Sequence, residues 1–89
     1  MNIKLTQKAK EKLTELTKNN QPMKLKITGF TWCGAELGVV SEKQSGKDKV
    51  YDVEGIDLIV SEDLEGAIEN AEIDYASGLF KKGFEVGFS

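Results

Sequence analysis

The stretch GFTWCGAELG, residues 29–38, holds the single cysteine of the chain, Cys33, with Trp32 beside it and Gly29, Gly34 and Gly38 around it. A lone thiol in such a setting has three chemical uses. It is a soft metal ligand, a redox thiol, or a small apolar side chain folded under a turn. The redox use needs a neighbouring cation or helix N-terminus to favour the thiolate. The local sequence supplies neither, and Glu36 has the opposite sign.

Other chemistry is narrowed by what is missing. With no histidine in 89 residues, the commonest general base and metal ligand is absent, and no Ser–His–Asp or Cys–His arrangement exists. The spacing Gly29, four residues, Gly34 matches half of a phosphate-binding loop, but Ala35 and Glu36 stand where lysine and serine or threonine belong. A carboxylate there repels phosphate. Glu36, Glu42, Asp52, Asp57 and Asp74 are scattered over expected strands, where acids face solvent, so no fixed acid–base pair is expected. The chain reads as a non-enzyme.

Charge gives a second surface to weigh. Residues 1–30 carry seven lysines and two glutamates, and residues 31–89 five lysines and thirteen acids, for a net charge of −3. The lysine-rich segment KLTQKAKEKLTELTK is read as the solvated face of a helix, or as a docking face for an acidic partner. Nucleic acid is excluded as a partner: the chain has no arginine and no interleaving of basic and aromatic residues. No segment approaches the ~18 apolar residues of a membrane span. The N-terminus shows no apolar core or cleavage site of a leader, so the expected location is the cytoplasm.

These residues must be positioned by short elements. Thr6 predicts a helix N-cap, followed by Ala9, Leu13 and Leu16 on one face until NNQP ends it. MKLKIT alternates, with Met23, Leu25 and Ile27 on the core face and lysines on the other. ELGVVSEK is a second strand and SGKD a turn. KVYDV and IDLIVS, joined by EG, form a hairpin. Ser61 caps a short internal helix over EDLEGAIENA, EIDYA is a strand, and SGLFKKGFEVGF a last hairpin. The glycines at 29, 34 and 38 are expected to serve turns or a bulge. The pattern predicts one mainly β domain over residues 1–89, a compact sandwich or barrel of six or seven short strands with one N-terminal and one short internal helix.

Leu5-Thr6-x-x-Ala9, the hairpin Gly55-Ile56-Asp57-Leu58-Ile59-Val60, the strand Ile73-Asp74-Tyr75 and Gly83-Phe84 follow one another in an order that resembles the HesB/IscA family of A-type iron–sulfur cluster assembly proteins. The resemblance runs along nearly the whole chain and implies a β sandwich with helices at its edge. It also implies a role in cluster biogenesis, in which loop and tail thiolates ligate iron or a cluster, often across a dimer. This chain departs from the pattern at both places. The family's C-terminal Cys-Gly-Cys is absent, because the sequence given runs to Phe88-Ser89. The family's Cys-Ser-Gly aligns by its glycine with Trp32-Cys33-Gly34, which puts Trp32 at the ligand position; with one residue missing from the loop, Cys33 is the ligand.

Two functions fit these residues. In the first, Cys33 of each of two subunits holds iron or a [2Fe–2S] cluster, with outside thiols completing it and Glu36 as an additional oxygen ligand. In the second, the fold is kept without the metal, and the Trp32 loop or the lysine-rich helix binds a protein partner.

Overall fold

The structure is a computed structural model that describes residues 1–79 and 82–89. Its elements are β1 (Asn2–Leu5), α1 (Gln7–Lys18), β2 (Met23–Thr31), β3 (Gly34–Ser41), β4 (Lys49–Val53), β5 (Ile56–Val60), a 3-10 turn (Glu62–Leu64), β6 (Asn70–Ser77) and β7 (Lys82–Phe88). The expected helix starts where its cap indicates: the Thr6 hydroxyl accepts from the Ala9 N–H at 3.3 Å. Ala9 and Leu13 are fully buried, and the chain leaves the helix at Asn19 with Asn20 in the left-handed region, φ 60°.

Two sheets form, in the orders β1-β6-β7 and β3-β2-β5-β4. Both are mixed, since β1 runs parallel to β6 and β2 parallel to β5 while the remaining pairs are antiparallel. The edge strand β3 lies against β7, β1 lies against β4, and α1 packs on β6 and β5. Leu13, Leu25, Leu58, Val60, Leu64 and Ile73 fill the space enclosed between these layers. The β4–β5 hairpin turns at Glu54 and Gly55, φ 52° and 84°. Two left-handed residues in succession match the right-handed twist of a two-residue hairpin. No helix among the described residues is long and apolar enough to cross a membrane.

One strand was not read from the sequence, and two expectations are corrected. The N-terminal segment before Thr6 is a strand, β1, half-buried through Ile3 and Leu5 and hydrogen-bonded to a partner some seventy residues away. The short internal helix is only the Glu62–Leu64 turn: Gly66 adopts φ 77°, Glu65 is already extended, and pairing with β1 claims the chain from Asn70 onward. The lysines of β2 do not both face solvent. Lys24 is buried, because residues 42–48 fold back over the outer face of β2. Its Nζ lies 2.6 Å from Asp48 and 3.1 Å from Glu42, and Glu42 in turn takes two bonds of 3.2 Å from Lys26. The last hairpin forms between β6 and β7, although Phe80 and Lys81 at its turn lie outside the described residues.

Candidate functional site

Cys33 sits at the end of the β2–β3 hairpin. The last ladder pair is Thr31↔Gly34, and Trp32 and Cys33 alone make the turn. The Thr31 hydroxyl fastens it: Oγ1 accepts from the Cys33 N–H and donates to the Gly34 carbonyl, each at 3.2 Å. Such a side-chain bond two residues along the backbone is what lets threonine hold a tight turn. Gly34 carries φ 127°, a conformation costly to any residue with a β-carbon.

Lower in the hairpin the ladder slips by one residue between Ile27 and Gly29, leaving Thr28 as an extra residue of β2. Gly38 is what admits it. A β-carbon on Gly38 would lie 2.8 Å from the Thr28 methyl. We expect Gly38→Ala to destabilise the fold by about 1 kcal/mol, and Thr28→Ser, which removes that methyl, to restore most of the loss. Urea melts of the four chains of this double-mutant cycle test it; additive effects would rule out the contact. Gly29, by contrast, has room for a β-carbon, with Glu36 Oε2 at 3.8 Å as its nearest neighbour, so the expected conformational need is met at 34 and 38 and not at 29.

The side chains of this tip all face outward. Cys33 is exposed, Trp32 is 97% exposed and Phe30 78%. Cys33 is therefore not a small apolar residue beneath a turn, and Trp32 is neither core nor lid. Phe30 was not singled out in the sequence. The signal was there in part, since an aromatic two residues before Trp32 on a strand shares its region, but the bulge at Thr28 resets the face on which alternate residues emerge. Glu36 is exposed on β3 opposite Gly29. Among the described residues no three of histidine, cysteine, aspartate and glutamate gather into a metal site. The chain offers a single thiol, where a [2Fe–2S] or [4Fe–4S] cluster is commonly held by four cysteines.

Motif residues from β1, α1, β6 and β7 come together at a different place and do structural work. Leu5 pairs with Ile73, the Thr6 N–H bonds to the Ile73 carbonyl at 2.9 Å, and the Thr6 hydroxyl donates to Asp74 Oδ1 at 2.7 Å while capping α1. Asp74 Oδ1 also accepts from the Tyr75 N–H at 2.8 Å. The Thr6 hydroxyl first, then the Tyr75 N–H, with Lys8 adding its charge, hold the Asp74 carboxyl below the usual range. The Tyr75 ring meets Phe84 edge-on at 4.9 Å, and Lys12 Nζ sits 5.6 Å from the Tyr75 centroid. This junction joins β1, α1, β6 and β7.

Solved structures with this fold are at hand. E. coli SufA, described as involved in biosynthesis of iron–sulfur clusters, superposes with a TM-score of 0.67 at 23% identity, covering 97% of this chain and 79% of SufA. IscA with a [2Fe–2S] cluster gives 0.71 at 13% identity, covering 97% and 84%. A protein from Aquifex aeolicus, solved by NMR, gives 0.66 at 19%, covering 96% and 89%. At these identities the likeness establishes the fold. A search of the curated proteins finds no match. The family model for iron-sulphur cluster biosynthesis matches residues 1–86, nearly the whole chain, and the protein belongs to that family, the HesB/IscA family.

Proposed function

We propose that the protein is a non-catalytic, cytoplasmic participant in iron–sulfur cluster biogenesis, built as one domain, that handles iron or a [2Fe–2S] cluster as cargo through Cys33 of two subunits. The observation that carries this reading is the position of the thiol. In a chain of this family, Cys33 stands exposed at the end of a hairpin whose turn is fastened by Thr31, open to a second subunit and to outside ligands. Two subunits bring two thiolates; thiols from solution or from an assembly or acceptor protein supply the others, with the exposed Glu36 of β3 as a carboxylate donor. The chemistry asked of the chain is ligation and release, so no acid, base or nucleophile beyond the thiol is required.

Anaerobic reconstitution with iron and sulfide, beside Cys33→Ser, tests this. Visible absorption and iron retained by the wild type and lost in the variant are expected. Equal retention by both would remove Cys33 from the function, and retention by neither would remove metal handling. The exposed Trp32 and Phe30 favour a second reading, in which the fold serves as an interaction module and the tip, or the lysine-rich α1, binds a protein partner without metal. Retention of metal by neither chain is the result that reading expects.

A further inference from the structure

A groove of about 350 Å³ crosses the outer face of the β4–β5 hairpin. Cross-strand register sets its floor. Val50 pairs with Ile59 and Asp52 with Asp57, so strand alternation puts two apolar residues and two carboxylates on one face, opposite the core residues Val53 and Leu58. Asn20 and Gln21, from the connector between α1 and β2, line the groove together with Gln44, whose amide donates to the Asp48 carbonyl at 2.8 Å. Two features of the floor cost the fold stability. Val50 is 48% exposed on a strand, and Asp52 and Asp57 set like charges directly opposite one another, a pairing that destabilises a sheet. Asp52 has a structural use, since its Oδ1 accepts the Gly55 N–H at 2.9 Å in the hairpin turn. Asp57 has no such use: it is exposed, and among the described residues its carboxylate makes no ion pair or hydrogen bond.

We infer that this groove is a docking site for an extended segment of another protein, one that carries an apolar residue and, two positions on, a lysine or arginine. Side chains two apart on an extended chain lie on one face roughly 6.5 Å from each other, the same step that separates Val50 from Asp52 and Ile59 from Asp57. The apolar residue covers Val50 beside Ile59. The cation sits over the facing carboxylates and cancels their repulsion. The amides of Asn20, Gln21 and Gln44 each carry donor and acceptor, the complement of a peptide backbone. Charge selects the occupant. None of the described residues that line the groove is a lysine, so an acidic segment finds no partner there and a basic one finds two carboxylates. The groove lies on strands other than the β2–β3 hairpin and works without Cys33.

Size sets the strength. A groove that takes about two side chains and stays open to solvent binds weakly, with a Kd between about 0.1 and about 1 mM at low salt.

The probe is the blocked peptide acetyl-Ser-Leu-Thr-Lys-Ser-amide, titrated into isotope-labelled, metal-free protein in about 20 mM salt and followed by NMR. Saturable shifts of the Val50, Asp57 and Gln44 amides are expected, fading as salt rises. A peptide with glutamate in place of lysine should not bind, and one with leucine and lysine adjacent should bind about threefold more weakly or worse. Asp57→Asn and Val50→Ser should each weaken the probe about two- to fivefold. Glu69→Gln, which removes one charge outside the groove, should leave the affinity unchanged. Asp57→Asn should also raise the melting temperature of the free protein, because like charges no longer face each other; a carboxylate that served the fold would lower it on removal. The absence of saturable shifts, shifts confined to other surfaces, or equal binding of the glutamate peptide overturns the inference. Binding that survives loss of the leucine but not of the lysine reduces the groove to a cation site and overturns it too, and so does a free protein already dimeric through Val50, which makes a second copy the occupant. Failure here leaves ligation by Cys33 standing, and failure to retain metal leaves this groove standing.

Discussion

Replacing Asp48 with alanine lowers the melting temperature by roughly 15 °C or more, one of the two largest effects expected of a single change in this protein. Asp48 lies in the SGKD turn and is buried together with Lys24. Its Oδ2 takes the Lys24 ammonium at 2.6 Å and the Ser45 N–H at 3.0 Å, and its Oδ1 takes the Glu62 N–H at 3.1 Å. The carboxylate therefore ties the loop 42–48, the strand β2 and the start of the 3-10 turn to one another. Alanine leaves a buried ammonium with, among the described residues, only the half-exposed Glu42 as partner, and an uncompensated buried charge costs far more than the intact pair is worth. Lys24→Met should be milder, because Asp48 keeps its two backbone donors and the methionine fills the space. Thermal melts of both variants decide the order; equal and small losses would mean that the loop opens to water around Lys24.

The same pair fixes a pH window. The Lys24 ammonium first, then the Ser45 and Glu62 N–H groups, depress the Asp48 carboxyl to about 2. A carboxyl lowered on folding stabilises the native state above its unfolded pKa of ~4, and that contribution disappears as pH falls toward 2. Lys24 is raised above its ordinary value by Asp48 and then by Glu42. An amine raised on folding stabilises fully below its unfolded value of ~10.4, and the contribution is lost as pH climbs through the folded one. The pair thus supports the fold from about pH 4 to about pH 10, and Asp48→Asn should flatten the acid side of the stability profile.

How much of this was legible in the sequence depended on the range of the interactions. The α1 cap at Thr6, the alternation of Met23 and Leu25, and the Glu54-Gly55 turn are local features, written in residues a few positions apart, and each appears where it was expected. β1, and in part the shortening of the internal helix to Glu62–Leu64, come from a cause that local reading does not reach, the parallel pairing of Asn2–Leu5 with Asn70–Ile73. Lys24 was misplaced for a similar reason. Strand alternation states which face a side chain takes, and says nothing about a loop that later covers that face. At the candidate site, the thiol and its glycines were readable by type, whereas the exposure of Trp32 and Phe30 depends on the bulge at Thr28 and on where β5 stops pairing with β2.

Reconstituted protein should hold its iron only while thiols from outside the chain are present, and should lose most of it on transfer to thiol-free anaerobic buffer. Ligand number sets this expectation. A chain contributes Cys33 and no second cysteine, two subunits contribute two thiolates, and four-cysteine ligation leaves half the positions to other donors. Carboxylates such as Glu36 are hard oxygen donors and replace thiolate poorly at a soft site. A ligand set shared with small thiols or with an acceptor's cysteines is easily exchanged, which suits transfer better than storage. The measurement is iron and sulfide per chain after desalting with and without a small monothiol, each at neutral pH and again near pH 6. Retention should fall with acidification, because a thiol must lose its proton to bind a metal. Full retention without added thiol would show that the chain completes the coordination from its own residues, and the carrier described here would have to be redrawn around ligands other than Cys33.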